Sequence, residues 1–366
     1  KLTGPAIFLL AAPLDAWHKF MKKSNKCPVF FPKAAEIRQF PMNTPPILSQ
    51  EELGCAMQKL RALAAAMNQV LFGQKDLIEL VLIGVLARGH ILLEGLPGLG
   101  KTELVKGLSR ALDITARRVQ FTPDLLPGDI TGTPVLQERD GTKNFIFQEG
   151  PVFANIMLAD EINRTSSKTQ SALLEVMEEG NVTVDGVTYK VPEPFVVIAT
   201  QNPLGTAGTQ MLPESQLDRF MVRLSMGYPD IKSQVELLRD RRKQNPMEQV
   251  HQILDGEHLM KMQQKAVDVF ISDEILEYIS LLTAKTRQNE AIILGISPRG
   301  ALALSRMARA RAYLCDRDYV IPEDVQEIFT DVCGHRLVLD SKARINRVTA
   351  DHVLRQILQE TEAPGV

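Results

Sequence analysis

Residues 90–103 read HILLEGLPGLGKTE, and this stretch decides the fold. The apolar run at 91–93 predicts a short buried strand, and a helical pattern begins at Thr102. Residues 95–102 match the pattern G-x-x-x-x-G-K-[ST]. The glycines allow the backbone to wrap closely and to direct N–H groups at phosphate oxygens, and the helix N-terminus adds a partial positive charge. The sequence therefore predicts a phosphate-binding loop between a strand and a helix.

The same loop supplies candidate ligands for ATP and Mg²⁺. Lys101 offers a point charge to the β- and γ-phosphates, and Thr102 offers a hydroxyl to the metal. The residues that we predict to bind the nucleotide from this loop are Gly95, Pro97, Gly98, Leu99, Gly100, Lys101, Thr102 and Glu103. A chance glycine turn is the alternative, and the strand and helix that flank the loop argue against it.

An acidic pair follows the second apolar run, residues 155–159. Asp160, at the tip of a buried parallel strand, is predicted to hold Mg²⁺ beside the phosphates. Glu161 is predicted to be the general base that polarises the attacking water. An acid pair at the start of a helix is the ordinary alternative, and the upstream phosphate loop favours the catalytic interpretation.

Three more residues are candidates for contact with the γ-phosphate. Asn202 follows the third apolar run and would orient water, although asparagine before proline is also a common turn residue. Arg219 is a candidate arginine finger that would act on another subunit's nucleotide, with a surface salt bridge as the alternative. Arg299 opens a later helix, where it would report the nucleotide state across the cleft between domains or simply pack locally.

The order of these patterns predicts the fold class. Apolar strands that alternate with helices indicate an α/β parallel sheet with helices on both faces. Asn181–Tyr189 alternates around Asp185-Gly186 and predicts a hairpin. We predict an irregular N-terminal extension at 1–48, an α/β nucleotide-binding domain at 49–228 and an all-α lid domain at 229–366.

Composition limits the possible partners and compartments. The formal net charge is −2, with 42 basic and 44 acidic residues, so no overall field attracts nucleic acid or an anionic membrane, although a local basic groove stays open. The apolar run at 6–12 is too short to span a bilayer. The cysteines lack C-x-x-C spacing and are predicted to be reduced thiols of a cytoplasmic protein; they are Cys27, Cys55, Cys315 and Cys333.

Five motifs together resemble the AAA+ ATPases, and more narrowly the MoxR family. They are GLPGLGKT (95–102), LADE (158–161), ATQNP (199–203), LPESQLDRF (212–220) and GISPRG (295–300). The resemblance covers roughly residues 50–340. Two residues depart from the family pattern: Asp316 stands where the pattern has glycine, and Ser215 stands where it has alanine.

The resemblance implies roles for the candidate residues. It implies Walker A for Lys101 and Thr102, Walker B for Asp160 and Glu161, sensor 1 for Asn202, the finger for Arg219 and sensor 2 for Arg299. It implies a hexameric ring with ATP between subunits and a β-hairpin within 129–153 that faces the pore. Members of the family act as chaperones that mature metalloenzymes and other complexes, often with von Willebrand factor A partners, so such a protein client is expected here.

Three other functions stay open at this point. Related rings include motors that nucleic acid stimulates, and a pore hairpin could carry lysines such as Lys143. A nucleotide-gated binding scaffold with little turnover is another alternative, but such a scaffold needs neither Glu161 nor Arg219. A subunit that resembles the ATPase of magnesium chelatase would share the same chemistry and differ only in its partner.

Overall fold

The strands around the phosphate loop form the centre of one parallel sheet. The computed structural model describes residues 50–96, 98–139, 142–202, 211–240 and 246–365, so the predicted extension 1–48 lies outside it. In chain order the strands are β1 (Ile91–Glu94), β2 (Ala116–Gln120), β3 (Gly132–Arg139), β4 (Thr142–Glu149), β5 (Ile156–Asp160), β6 (Asn181–Val184), β7 (Val187–Lys190), β8 (Val196–Gln201), β9 (Val222–Ser225), β10 (Ile292–Leu294) and β11 (Val338–Leu339). The large sheet has the order β2-β5-β8-β1-β9.

Helices surround the sheet and make up most of the chain after residue 230. In chain order they are α1 (Gln50–Val70), α2 (Lys75–Leu86), α3 (Lys101–Ala111), α4 (Pro127–Thr131), α5 (Ser167–Glu179), α6 (Glu214–Leu217), α7 (Ile231–Asp240), α8 (Gly256–Asp268), α9 (Asp273–Gln288), α10 (Pro298–Leu314), α11 (Pro322–Cys333), α12 (Ser341–Ile345) and α13 (Ala350–Gln359). Short 3₁₀ turns occupy Ile162–Arg164, Pro246–Gln249 and Gly334–Arg336.

The central strands are buried on both faces, as the prediction of a covered parallel sheet requires. Ile91 and Ile198 lie opposite each other in parallel register and belong to one hydrophobic cluster. Leu92, Met157 and Val197 point to the other face and belong to a second cluster. Because successive side chains alternate between the faces of a strand, helices are needed on both sides of the sheet.

Parallel pairing places the ends of the strands on two opposite edges. We call the edge where β1, β5 and β8 end the carboxyl edge, and the edge where they begin the amino edge. The phosphate loop and Asp160 lie at the carboxyl edge, because each directly follows or ends its strand. β1 has four residues, so the two edges are separated by ~13 Å at ~3.3 Å per residue.

Both predicted hairpins are confirmed. β3 pairs with β4 within 129–153, and β6 pairs with β7 around Asp185-Gly186. The Phe147 ring stacks on the Tyr189 ring with centroids 4.2 Å apart, so the two hairpins touch. The β3–β4 hairpin leaves large apolar side chains in solvent: Leu136, Phe145 and Ile146.

The prediction of an all-α region after residue 229 is wrong in one detail. β10 and β11 form a small antiparallel sheet there, in which Ile292 lies opposite Leu339. The pair was overlooked because strands of three and two residues carry no periodicity to detect. The rest of the region is helical within 246–365, which agrees with a lid.

The described lid helices pack against the sheet region within one compact unit. Gln263 of α8 donates a hydrogen bond to the Val85 carbonyl of α2 at 2.8 Å. The boundary between domains at 228/229 therefore stays a prediction. Among the described helices, none combines the length and the apolarity that crossing a membrane requires.

Candidate nucleotide site

The phosphate loop takes backbone conformations that favour glycine. Gly98 and Gly100 have φ angles of +85° and +99°. A Cβ on Gly100 would lie 2.7 Å from the Leu71 Cδ2 atom, so space as well as conformation requires glycine there. Gly100 is the N-cap of α3, whose first N–H groups are therefore available to an anion. Pro97, which we predicted as a nucleotide contact, lies outside the described residues.

Lys101 lies inside this loop rather than in solvent. Its Nζ atom donates to the Gly95 carbonyl at 2.5 Å. Burial lowers the pKa of Lys101, while the carboxylates of Asp160 and Glu161 act in the opposite direction. These interactions bring together three of the predicted site residues, with a cation at the loop and two acids across from it.

The other loop residues differ in their surroundings. Thr102 is half-buried in the first turn of α3, a helix that packs on β5. Leu99 is half-buried and packs against the hydrophobic core. Glu103 faces Lys106 at 3.7 Å, an ion pair one turn apart on the helix.

Asp160 ends β5 at the centre of a polar network. Its Oδ1 atom accepts a hydrogen bond from the Thr200 hydroxyl at 2.6 Å. Its Oδ2 atom accepts one from the Arg118 guanidinium at 2.7 Å. Each carboxylate oxygen has a second lone pair, and carboxylate and hydroxyl oxygens are ligands that Mg²⁺ accepts together with substrate phosphates. Asp160 and Thr102 therefore suit a magnesium ion.

Glu161 has a left-handed backbone, with φ of +56°. Its N–H donates to the Thr200 hydroxyl at 2.9 Å, which stabilises this uncommon conformation. Its Oε2 atom accepts hydrogen bonds from Gln120 at 2.9 Å and from Arg164 at 2.8 Å. The carboxylate is thus oriented from two sides, and Oε1 is the atom that can face a water.

The sequence prediction overlooked Thr200, Gln120, Arg118 and Arg164. Thr200 is fully buried and joins Asp160 to Glu161 through one hydroxyl. A threonine among the apolar residues of β8 was the available signal. Asn202 comes one residue after β8, so it also lies at the carboxyl edge.

Arg219 and Arg299 lie together, but away from Lys101. Glu178, near the end of α5, contacts Arg219 at 3.3 Å and Arg299 at 3.0 Å. This cluster is at the amino edge of the sheet. Arg219 precedes β9, and the positive charge of Arg299 reaches His90, the residue before β1. Burial lowers the pKa of His90 to about 4, a hydrogen bond to the Met177 carbonyl opposes the shift, and Arg299 adds to it.

A cavity of about 280 Å³ lies next to the phosphate loop. Two loop glycines lie beside residues that are close in sequence to the cavity lining. Gly100 lies beside Leu71, two residues before the lining residue Gly73. Gly95 lies beside Met226, one residue after the lining residue Ser225. Besides Gln74, the remaining lining consists of three leucines and two carboxylates, of which Asp331 comes from the lid: Leu77, Leu80, Leu224, Asp76 and Asp331. The cavity thus combines an apolar wall of leucines with polar and acidic groups.

Two family models match the chain. The model described as "ATPase family associated with various cellular activities (AAA)" matches residues 90–222. The model described as "AAA lid domain" matches residues 284–357. The first includes the phosphate loop, Asp160 and Arg219, and the second includes Arg299.

Relatives extend the similarity over most of the chain. Chaperone MoxR1 of Mycobacterium tuberculosis is 38% identical over 335 residues, which cover 89% of this chain and 88% of the relative. Uncharacterized protein YeaC of Bacillus subtilis is 44% identical over 297 residues, with 81% and 92% covered. A crystal structure of a protein from Cytophaga hutchinsonii matches with a TM-score of 0.81 and 38% identity, covering 86% of this chain and 98% of that one.

Proposed function

Because the chain belongs to the MoxR family of AAA+ ATPases, we propose that it hydrolyses ATP with Mg²⁺ in a hexameric ring of identical subunits and uses the cycle to remodel a client protein. A protein client is supported by the relative from Mycobacterium tuberculosis, which is named a chaperone. A von Willebrand factor A partner and the maturation of metalloenzymes are supported by the family resemblance alone.

One observation carries the proposal of ATP hydrolysis. The carboxyl edge of the sheet brings together Lys101, Asp160 and Glu161. Beside them lies the N-terminus of α3, which is preceded by Gly98 and Gly100 in the left-handed conformation. A cation, oriented N–H groups, a metal ligand and a general base are the parts that phosphoryl transfer to water needs.

These residues divide the reaction between them. The N–H groups of the loop and Lys101 would bind the β- and γ-phosphates, and Thr102 and Asp160 would hold Mg²⁺. When bound, the metal neutralises charge on the phosphate oxygens. Oε1 of Glu161 would accept the proton of the attacking water while Gln120 and Arg164 hold Oε2, and Asn202 would orient that water.

Arg219 and Arg299 are proposed to complete a neighbour's site. They share Glu178 at the amino edge, whereas the loop of their own chain lies at the carboxyl edge, beyond the ~13 Å length of β1. In a ring, the amino edge of one subunit would face the phosphate loop of the next. Each bound triphosphate would then be contacted by Arg219 and Arg299 of the neighbouring subunit. Planar guanidinium groups suit the charge that develops on the γ-phosphate.

The nucleotide base and the client would use two other surfaces. The cavity beside Gly73 and Gln74 offers apolar surface for a purine ring. The β3–β4 hairpin offers an apolar side chain to a client, since the Phe145 side chain is 74% exposed. An exposed aromatic at a hairpin is a suitable contact for an unfolded segment.

Steady-state turnover of Mg-ATP by the purified protein tests the proposal. Lys101→Ala and Glu161→Gln should each lower kcat/KM by at least ~100-fold. Glu161→Gln should keep its affinity for Mg-ATP, because Lys101 and the loop remain. Lys168→Ala, at an exposed position of α5, is the matched control and should behave as wild type.

Two results would support other functions. Binding of Mg-ATP with negligible turnover by the wild type would favour a nucleotide-gated scaffold. Strong stimulation of turnover by single-stranded or double-stranded nucleic acid would favour a nucleic-acid motor. Near-normal turnover by Lys101→Ala or by Glu161→Gln would contradict the proposed catalytic site.

A further inference from the structure

The segment that carries Arg219 is attached to the lid through a buried arginine. The Arg336 side chain is only 2% exposed, and its Nε atom donates to Asp218 Oδ1 at 2.7 Å. Its Nη2 atom donates to the Phe220 carbonyl at 2.6 Å, and its Nη1 atom donates to the Met221 carbonyl at 3.2 Å. Nη2 also donates to the Asp218 carbonyl at 3.4 Å, so one guanidinium holds the backbone on both sides of Arg219.

The second oxygen of Asp218 reaches the helix that carries Arg299. The Ser297 hydroxyl donates to Asp218 Oδ2 at 2.9 Å and accepts from the Gly300 N–H at 3.1 Å. Ser297 is the N-cap of α10, and Arg299 lies in the first turn of that helix. Asp218 thus binds the capping residue of the helix from which Arg299 projects.

The start of α10 also packs directly on Arg336. A Cβ on Gly300 would lie 2.9 Å from the Arg336 Cδ atom, so any larger residue would separate the two elements. Asp218, Ser297 and Arg336 thus meet in one buried contact, although Ser297 and Arg336 lie 79 and 118 positions after Asp218 in the sequence. Because close-packed interiors tolerate little displacement, this contact fixes the position of the Arg219 segment relative to α10.

We propose that Asp218 is a positioning residue that holds Arg219 and Arg299 as one preassembled pair. The proposal rests on the proposed function, in which both arginines act on a neighbouring subunit's triphosphate. The Asp218 carboxylate joins the two backbone segments, and Glu178 joins the two guanidinium groups at their far ends. Two cations held at a constant separation can meet the γ-phosphate without reorganisation at the moment of reaction.

The first test is Asp218→Asn, which keeps the size of the side chain and removes its charge. We expect kcat for ATP to fall by ~10- to 100-fold, because small displacements of catalytic groups have effects of this size. The KM and the directly titrated affinity for Mg-ATP should stay within about twofold, because Asp218 does not contact the loop. Asp255→Asn is the matched control, since asparagine replaces the α8 N-cap equally well.

A double-mutant cycle shows whether Asp218 acts through Arg219. Adding Asp218→Asn to Arg219→Ala should lower kcat by a smaller factor than Asp218→Asn does in the wild type, because one of the two groups that it positions is already absent. Independent, multiplying losses would overturn the proposal. The same comparison with Arg299→Ala tests the other half of the pair.

Mixed rings separate positioning from a general loss of structure. Subunits with Asp218→Asn keep an intact loop and Glu161, so intact arginines from Glu161→Gln subunits should restore their turnover. A subunit damaged as a whole would not be rescued, and that result would overturn the proposal.

Ser297→Gly decides the matter if Asp218→Asn does not fold. Removing the partner of a buried arginine is costly, whereas Ser297→Gly keeps the Asp218–Arg336 pair, and glycine is tolerated at an N-cap. Its kcat should fall several-fold with unchanged KM, and unchanged kcat would overturn the proposal. Wild-type protein without any turnover would refute the proposed function itself, whereas active wild type with an equally active, folded Asp218→Asn refutes only the positioning role.

Discussion

Replacing Thr200 by valine tests the arrangement of the acidic pair directly. The Thr200 hydroxyl is fully buried, donates to Asp160 at 2.6 Å and accepts from the Glu161 N–H at 2.9 Å. Valine has nearly the same shape, so Thr200→Val removes both hydrogen bonds with little change in packing. The acid pair then loses the group that joins its two members.

The structure allows the size of the effect to be worked out. Loss of a hydrogen bond to a carboxylate corresponds to ~1.5–3 kcal/mol, and a buried N–H left without a partner to ~1–3 kcal/mol. The added apolar methyl returns ~0.8 kcal/mol. We therefore expect the free energy of unfolding to fall by ~2–5 kcal/mol. Glu161 would also leave its left-handed conformation more easily, which should lower kcat by ~10- to 100-fold.

Three measurements follow from this reasoning. Chemical denaturation reports the free energy of unfolding, steady-state turnover reports kcat, and hydrogen exchange reports opening at the Glu161 amide, which should exchange faster. Thr200→Ser keeps the hydroxyl and should recover most of the activity. Thr188→Val on the exposed β6–β7 hairpin is the control and should change stability by less than ~0.5 kcal/mol. A Thr200→Val protein with wild-type stability, turnover and exchange would refute the reasoning.

Other substitutions test the cavity, the amino edge and the loop. Burial and the nearby Asp351 carboxylate raise the pKa of Asp331 from 3.8 to about 6, so the native state holds an extra proton between these values and stability falls as the pH rises through them. Asp331→Asn should therefore stabilise the protein by ~2–3 kcal/mol at pH 7.5, and urea unfolding should show the gain vanish near pH 4. Burial lowers the pKa of His90 from 6.5 to about 4, so only the unfolded state gains this proton as the pH falls between those values, and stability should decrease by ~2–3 kcal/mol. His90→Gln should remove that slope, and parallel pH curves for wild type and variant would contradict the assignment. Gly100→Ala forces a side chain into a left-handed, crowded position and should abolish titratable Mg-ATP binding. Its counterpart Gly54→Ala has open space within α1 and should raise stability by ~0.5–1 kcal/mol, as thermal unfolding would show.

Much of the carboxyl edge could be predicted from the sequence, because its determinants are local. The loop pattern at 95–102, the apolar run of β1 and the Asp160-Glu161 pair after β5 each occupy a few consecutive residues. The two edge strands of the sheet, β2 and β9, were not predicted, because they lack a local apolar pattern. β2 reads Ala-Arg-Arg-Val-Gln and β9 reads Val-Arg-Leu-Ser, so neither contains the apolar run that marks a central strand.

Asp316 shows how a local departure can still fit the backbone. The sequence places it where the family pattern has glycine, and the structure gives it a left-handed φ of +61°. Aspartate tolerates this region better than most side chains. Asp316 therefore adopts a conformation that glycine, the residue of the family pattern, reaches without strain.

The sequence by itself determined the strand, glycine loop and helix around residues 95–102, and it predicted a triphosphate site there with Lys101, Asp160 and Glu161, since those residues are read from short consecutive patterns. Only the tertiary structure decided that Thr200 joins the acids, that Glu178 gathers Arg219 and Arg299 at the opposite edge, and that Asp218 connects the Arg219 segment to the lid. The physical reason is separation along the chain: these hydrogen bonds and ion pairs join residues that lie roughly 40 to 120 positions apart, and no local spacing encodes such a meeting.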